Sequence, residues 1–285
     1  MELTLRPGTS EDAEICGEIC YEAFKTIAEQ HNFPPDFPSP EIAIEGFKRW
    51  LSHPEYYSVV AELDGRVVGS NFLDERSIIY ALGPVTVAPA VQNRSIGRQL
   101  MRNALNRVAT RRCPGVRLVQ NAYHNRSLCL YAKLGFEVRE ILGNMQGPPL
   151  SLQIPCYNVR QAVEEDIKAC NRLCRQVHGH DRNGELSDAV GQGTAAVVDH
   201  GNRITGYATV IGFWGHAVGE SNEDLKALIG AAAEFVGQGF FLPLRNQELL
   251  CWCLEHGLRM VQPYTLMSMG LYNEPKGAFL PSIGS

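Results

Sequence analysis

Nothing in the chain approaches the roughly 18 consecutive apolar residues that a membrane helix needs. There is no basic excess either: 26 Lys and Arg stand against 31 Asp and Glu, a formal charge of −5. That balance argues against the cationic face of a nucleic-acid binder. It is also too small to keep a chain unfolded by self-repulsion. The opening stretch lacks the apolar core of a secretory leader. A disulfide framework is missing as well. The nine cysteines are an odd number, and Cys16/Cys20 and Cys170/Cys174 repeat at helical spacing, unlike the Cys-x-x-Cys turns of metal sites. They are expected to be small buried residues of a reduced, cytoplasmic protein without a metal, a membrane or a nucleic-acid partner.

What is present is a globular balance of 45% apolar and 20% charged residues over 285 positions, enough for one large domain or two small ones. An internal repeat favours two. Leu5-Arg6, Glu11-Asp12, Cys16 and Cys20 recur at the same spacing as Val159-Arg160, Glu165-Asp166, Cys170 and Cys174. Each set reads as a strand, a turn and a helix whose acidic start complements the helix dipole. Asp64-Gly65 and Gly201-Asn202 each sit between apolar runs as hairpin turns. Leu134-Gly135-Phe136 is echoed by His256-Gly257-Leu258. The junction is expected at Gly147-Pro148-Pro149, giving copies over residues 1–147 and 148–285.

In the first copy the expected order is strand, helix, irregular stretch, helix, hairpin, strand, helix, strand, helix, strand. This is a mixed α/β layer. Four prolines over residues 31–40 exclude a helix there. Helices are expected near 41–51, 95–110 and 126–134, with strands near 81–87, 116–122 and 136–140.

Chemistry concentrates after the strand containing Val85, Thr86 and Val87. A Pro-containing turn leads through Gln92, Asn93, Arg94, Ser95, Ile96, Gly97 and Arg98 into an amphipathic helix. Unpaired amides at such a helix start, with the dipole behind them, suit a pyrophosphate. Ser95 and Gly97 are small enough for close approach, and Arg94 and Arg98 add positive charge. This segment resembles motif A of the GNAT superfamily of N-acetyltransferases, with Ser95 replacing the first glycine. Residues 125–136 resemble the same family's motif B: Asn125 after a strand, Tyr131 on a helix, and a Gly135-Phe136 turn. Asn125 suits an N-cap and Gly135 a left-handed helix end.

The resemblance implies two tandem acyl-CoA N-acyltransferase folds, with acetyl-CoA as co-substrate and an amine, small-molecule or peptide, as acceptor. It implies that the amides of 94–98 hold the pyrophosphate and that the backbone at Val85 to Val87 pairs with the pantetheine arm. Asn125 and Ser127 would complete the cofactor contacts. It makes Tyr131 the general acid for the departing thiolate, where a packing role is the alternative. No base is identified; Asp74, Glu75 and His124 are nearby. Phe33, Phe37 and Trp50 either line an acceptor pocket or belong to the core.

The second copy lacks this machinery. Glu220, Glu223 and Asp224 cluster where its phosphate loop should fall, and Cys253 stands opposite Tyr131. A degenerate copy could form an acceptor wall or a homodimer surface. Residues 263–284 show no clear period, and His216 and the Asn246/Glu248 pair are read as structural or as lining a cleft. The competing function is a non-catalytic acyl-CoA sensor.

Overall fold

A computed structural model describes residues 2–284. Contacts divide them into two compact units: one runs up to Glu75 and over Ile79–Val116, the other comprises Arg76–Ile78 and everything from Arg117 onward.

The first unit holds β1 (Leu3–Pro7), α1 (Ala13–Gln30), α2 (Pro40–Ser52), β2 (Tyr56–Leu63), β3 (Arg66–Asp74), β4 (Ile79–Leu82), β5 (Thr86–Val87) and α3 (Ile96–Thr110). The strands run β1-β2-β3-β4, with β5 also paired to β3. Asp64 and Gly65 take φ of 50° and 77°, the mirror-image turn that the right-handed twist of a hairpin favours. Side chains alternate across β2. Val60 faces Phe47, Phe72, Cys16 and Cys20 under α1 and α2; Val59 and Ala61 face Ile96 and Leu100 of α3. Both cysteines are fully buried, as the helical spacing predicts. Pro40 opens α2 as its first residue, where a missing N–H costs nothing. The strand expected over 81–87 is broken: β4 stops at Leu82 and the chain passes a cis Gly83-Pro84 peptide before β5. Gly69 is required beside it, since a Cβ there would stand 2.4 Å from the Thr86 carbonyl oxygen.

The second unit contains β6 (Gly115–Asn121, from Arg117), α4 (Asn125–Lys133), β7 (Glu137–Gln146), β8 (Asn158–Gln161), α5 (Ile167–His178), α6 (Asn183–Gly191) and β9 (Ala196–His200). It continues with β10 (Arg203–Ala208), β11 (Ala217–Gly219), α7 (Asn222–Ala231), β12 (Phe240–Pro243), α8 (Gln247–Glu255), β13 (Arg259–Gly270) and β14 (Ala278–Leu280). One set of strands runs β14-β11-β10-β9-β8, another β6-β13-β7-β12.

The second arrangement interleaves the two sequence copies. β13 lies between β6 and β7, and β7 lies between β13 and β12. Each copy's last strand is therefore separated from its own preceding strand by the other copy's last strand. The β7–β13 register is self-consistent under the repeat. Glu137, the first residue of β7, faces Ser268, and Arg259, the first residue of β13, faces Gln146, the last of β7. The compact units accordingly divide the chain elsewhere than at the 147–149 junction, because both neighbours of β7 come from the later half.

This pairing corrects one expectation. Residues 263–270 are not irregular but continue β13, with Pro263 in register with Gly143. Pro263 follows a register shift between Met260 and Gln262, the kind of irregularity where a strand tolerates a residue without an N–H, and its carbonyl accepts the Ala122 N–H at 3.1 Å. β7, expected to end near 140, reaches Gln146 for the same reason: it has a partner on either side.

Candidate active site

The turn before α3 leaves an open helix start. Asn93 and Ser95 take φ of 67° and 63°, the left-handed region where glycine is at ease and serine is strained. The Gln92 side-chain amide donates to the Val87 carbonyl oxygen at 3.0 Å, tying the loop to β5. Ser95 is the N-cap but makes no side-chain capping bond, and no acidic residue occupies the first turn. The Gln99 N–H bonds back to the Ser95 carbonyl at 3.1 Å. Helix geometry leaves the amides of Ile96, Gly97 and Arg98 without intrahelical acceptors. The Asn93, Arg94, Ser95 and Arg98 side chains are exposed.

Not every residue of the expected set offers its side chain. Ile96 is 2% exposed and belongs to the α3 core. Thr86 is buried and its hydroxyl lies 3.2 Å from that of Ser70. Val85 and Val87 pack on the α3 core. For Thr86 and Ile96 only the backbone remains for a ligand; Val85 and Val87 are half-buried. A shallow groove of about 480 Å³ runs along the outer face of α3, lined by Leu5, Ser95, Arg98, Gln99, Arg102, Asn103 and Asn106.

In the second unit, α4 carries Tyr131 into the interior. Its N-cap is His124, not Asn125, which is the first helical residue. The His124 Nδ1 lies 2.8 Å from the Ser127 hydroxyl, so these two organise the helix start. Gly135 ends the helix with φ of 99°, as the Gly-Phe turn predicts. Tyr131 is buried and its ring meets Phe136 edge-on at 6.2 Å. Burial pushes its phenol up to about 12, and the hydroxyl of Ser127, one turn earlier, offsets part of that rise.

The corresponding helix start of the second copy is closed. At α7, Ser221 donates both its N–H and its hydroxyl to Asp224 at 2.9 Å, and Thr205 donates to the other carboxylate oxygen at 2.5 Å. Asp224 is 1% exposed and fills the place of an anion at the helix end. At α8, Asn246 caps the Leu249 N–H at 3.3 Å and exchanges hydrogen bonds with Asn222. Glu248 pairs with Lys226 at 2.7 Å. These are structural contacts.

The carboxylates considered as bases are engaged. Glu75 accepts from Arg107 at 2.7 and 2.9 Å, and Asp74 accepts from the Tyr56 hydroxyl at 3.0 Å. Phe37 is buried in the α1–α2 core, with Trp50 packed against it.

Sequence reasoning named His216 but missed the buried polar cluster around it in the second unit. Glu185 takes paired hydrogen bonds from Arg182 and stands 3.2 Å from His216 Nδ1. His216 Nε2 lies 3.0 Å from the Tyr207 hydroxyl. Burial, reinforced by Arg182, pulls His216 down to about 4. Burial would raise Glu185, but Arg182 outweighs it and holds the carboxylate below its usual range. The signal that could have found the cluster is His178-Gly179-His180-Asp181-Arg182, a dense run of polar groups at a helix end.

Residues 21–136 match the profile of the acetyltransferase (GNAT) family. No curated protein matches the sequence. Among solved structures, a putative acetyltransferase from Pyrococcus horikoshii is 18% identical, with 99% of this chain and 95% of that chain covered at a TM-score of 0.76. A GNAT-type N-acetyltransferase from Sphaerobacter thermophilus is 16% identical, covering 95% and 96% at a TM-score of 0.63. A tandem GNAT protein from the clavulanic acid biosynthesis pathway is 14% identical, covering 94% and 98% at a TM-score of 0.58. At these identities the likeness concerns the fold.

Proposed function

We propose, from the premise that this chain is a tandem GNAT-fold protein whose residues 21–136 carry the acetyltransferase family signature, that it transfers an acetyl group from acetyl-CoA to an amine. The single observation that supports this most is the contrast between two helix starts. α3 has no acidic residue in its first turn, whereas α7 is closed by its own Asp224. One site per chain follows, in the copy over residues 1–147, with residues 148–285 as a degenerate partner.

The amides of 94–98 would take the pyrophosphate, with Arg94 and Arg98 beside it and Gln92 and Asn93 shaping the turn. The β5 backbone from Val85 to Val87 would take the pantetheine amides. Asn125 and Ser127 set the start of the helix that carries Tyr131. In the reaction the amine attacks the thioester carbonyl, the C–S bond breaks, and the thiolate leaves with a proton from the Tyr131 hydroxyl. A phenol raised to about 12 stays protonated through neutral pH and is available as a donor. The amine's own proton passes to water, and the tyrosinate left behind takes a proton back from solvent. The acceptor is a small-molecule or peptide amine. All nine cysteines are unpaired, which supports a cytoplasmic setting. Among the described residues no helix is long and apolar enough to cross a membrane.

Thermal shift with acetyl-CoA, followed by thiol release over a panel of amines, tests the reading. Stabilisation by acetyl-CoA with turnover on at least one amine is the expected result. No shift at saturating acetyl-CoA would sink the cofactor assignment, and binding without turnover would make the chain an acyl-CoA sensor.

A further inference from the structure

Arg117, on β6, is 6% exposed, and no carboxylate among the described residues pairs with it. Its hydrogen-bond partner is a ring: Nη2 lies 3.0 Å from His180 Nε2. A guanidinium only donates, so that nitrogen accepts. His180 is then neutral, with its proton on Nδ1 donating to the Asp181 carbonyl oxygen at 3.1 Å. The Tyr272 ring lies 5.3 Å from the Arg117 guanidinium carbon and 5.0 Å from that of Arg139. His178, 6% exposed, packs beside His180 with ring centroids 6.0 Å apart.

Three polar atoms of this group are buried without a hydrogen-bond partner: Arg117 Nε, His178 Nδ1 and the Tyr272 hydroxyl. Buried donors are nearly always satisfied, and each exception calls for a reason. Most of the surrounding charges are matched: Glu140 is held by Arg245, while Glu274, which also acts on Tyr272, is exposed to solvent. Arg182 is taken by Glu185, Arg139 by Glu137, and Arg175 by Asp181. The Arg117 cation is what remains over. Left without a counter-charge, a buried ion costs far more than any neighbour repays it. The fold nonetheless keeps an arginine in a strand whose adjacent residues, Val116 and Leu118, are buried and apolar.

We propose that Arg117, with His178, His180 and Tyr272, forms a binding site for the carboxylate of a small organic acid. The carboxylate would accept from the Arg117 Nε–H and the Tyr272 O–H, the donors now lacking partners. Its two oxygens would take one donor each, and its single charge matches the one guanidinium. A phosphate dianion would bring a second negative charge close to Glu185, which has no cation to spare for it. Tyr272 stands on a stretch without regular structure between β13 and β14 and covers the guanidinium. A ligand reaches Arg117 when that ring shifts off the guanidinium while its hydroxyl stays within reach of the carboxylate. The site does not depend on the acyl-transfer reading, since it is defined by residues outside α3 and its test uses no CoA.

The test compares acids with their amides on the full chain. Acetate, propionate and benzoate are added against acetamide, propionamide and benzamide at constant ionic strength, and the thermal midpoint is followed. At least one acid should raise it while its amide does not, and Arg117→Met should abolish the difference. Should Arg117→Met fail to fold, Arg117→Lys, which keeps the charge but loses the Nε–H donor, should weaken acid binding by about tenfold, the worth of one hydrogen bond to a charged group. Indifference of the wild type to all three acids overturns the proposal. So does an acid-specific shift that survives unchanged in the variant that folds.

Discussion

Arg160 grips Asp166 through paired hydrogen bonds of 2.6 and 2.9 Å, as Arg6 grips Asp12 with two of 2.7 Å. Each arginine spends its Nε on a carboxylate of the following hairpin, Asp199 or Glu62, at 2.7 Å. The aspartates close the capping turns that begin α5 and α1. The repeat visible in the sequence is thus a repeated clasp between a strand, a hairpin and a helix start. Both aspartates are held below the usual carboxylate range, first of all by the arginine hydrogen bonds. Their contribution is complete above the unfolded value near 3.9 and is lost as pH falls through the lowered folded value. Asp12→Asn and Asp166→Asn should each cost about 1–2 kcal/mol in denaturant unfolding at pH 7, with a smaller difference at pH 3.

Ser95 occupies a backbone conformation better suited to glycine. Ser95→Gly should leave stability unchanged or raise it by up to about 1 kcal/mol, with acetyl-CoA affinity retained by calorimetry. A tenfold loss of affinity would mean that the Ser95 hydroxyl, and not its amide, holds the cofactor.

Tyr131→Phe should lower turnover by roughly 10²-fold while acetyl-CoA affinity changes little. With the phenol raised to about 12, the wild-type rate should show no alkaline fall near pH 10, where an unburied phenol would ionise. A descending limb centred near 10 in the pH–rate profile would contradict the buried acid.

His180 and His216 are both pulled to about 4, chiefly by burial, with Arg117 and Arg182 respectively as the most strongly repelling cations. The unfolded chain binds these protons near 6.5 and the folded chain does not. Stability from the pair is therefore complete above about pH 6.5 and drains away as pH falls towards 4. A tenfold difference in proton affinity is worth roughly 1.4 kcal/mol, so each group accounts for about 3 kcal/mol. Urea unfolding across that window should show the loss. His216→Gln should flatten the curve.

Residues 1–147 expressed alone should not yield a stable monomer. β7 would lose both of its neighbours, β13 and β12, leaving an exposed strand of ten residues prone to pair with another chain. Light scattering should report dimers or larger species. A well-folded monomer would show that β7 finds another partner.

Local chemistry is legible in the sequence. The hairpin at Asp64-Gly65, the Gly135 helix end and the α3 boundary follow from turn residues and short-range period, and the structure repeats them closely. Asn125 falls one position inside the helix it was expected to cap, because His124 takes that place through a contact with Ser127 that no propensity encodes. The β7–β13 exchange is hidden, since strand pairing between distant segments leaves no local signature. The Arg117 cluster escapes for a related reason. Its members lie at 117, 178–180 and 272, and only the fold brings them together. A hint survives in the sequence, where Arg117 stands between Val116 and Leu118.

The interleaving of β7 and β13 also bears on how such a chain can change over time. A second copy that no longer presents an open helix start would ordinarily be free to decay or be deleted. Here it cannot be, because its last strand is a structural rib of the half that keeps the open one. Interlocking ties the second copy's last strand between β6 and β7, so that losing it would strip β7 of a neighbour whatever the second copy's own helix start holds.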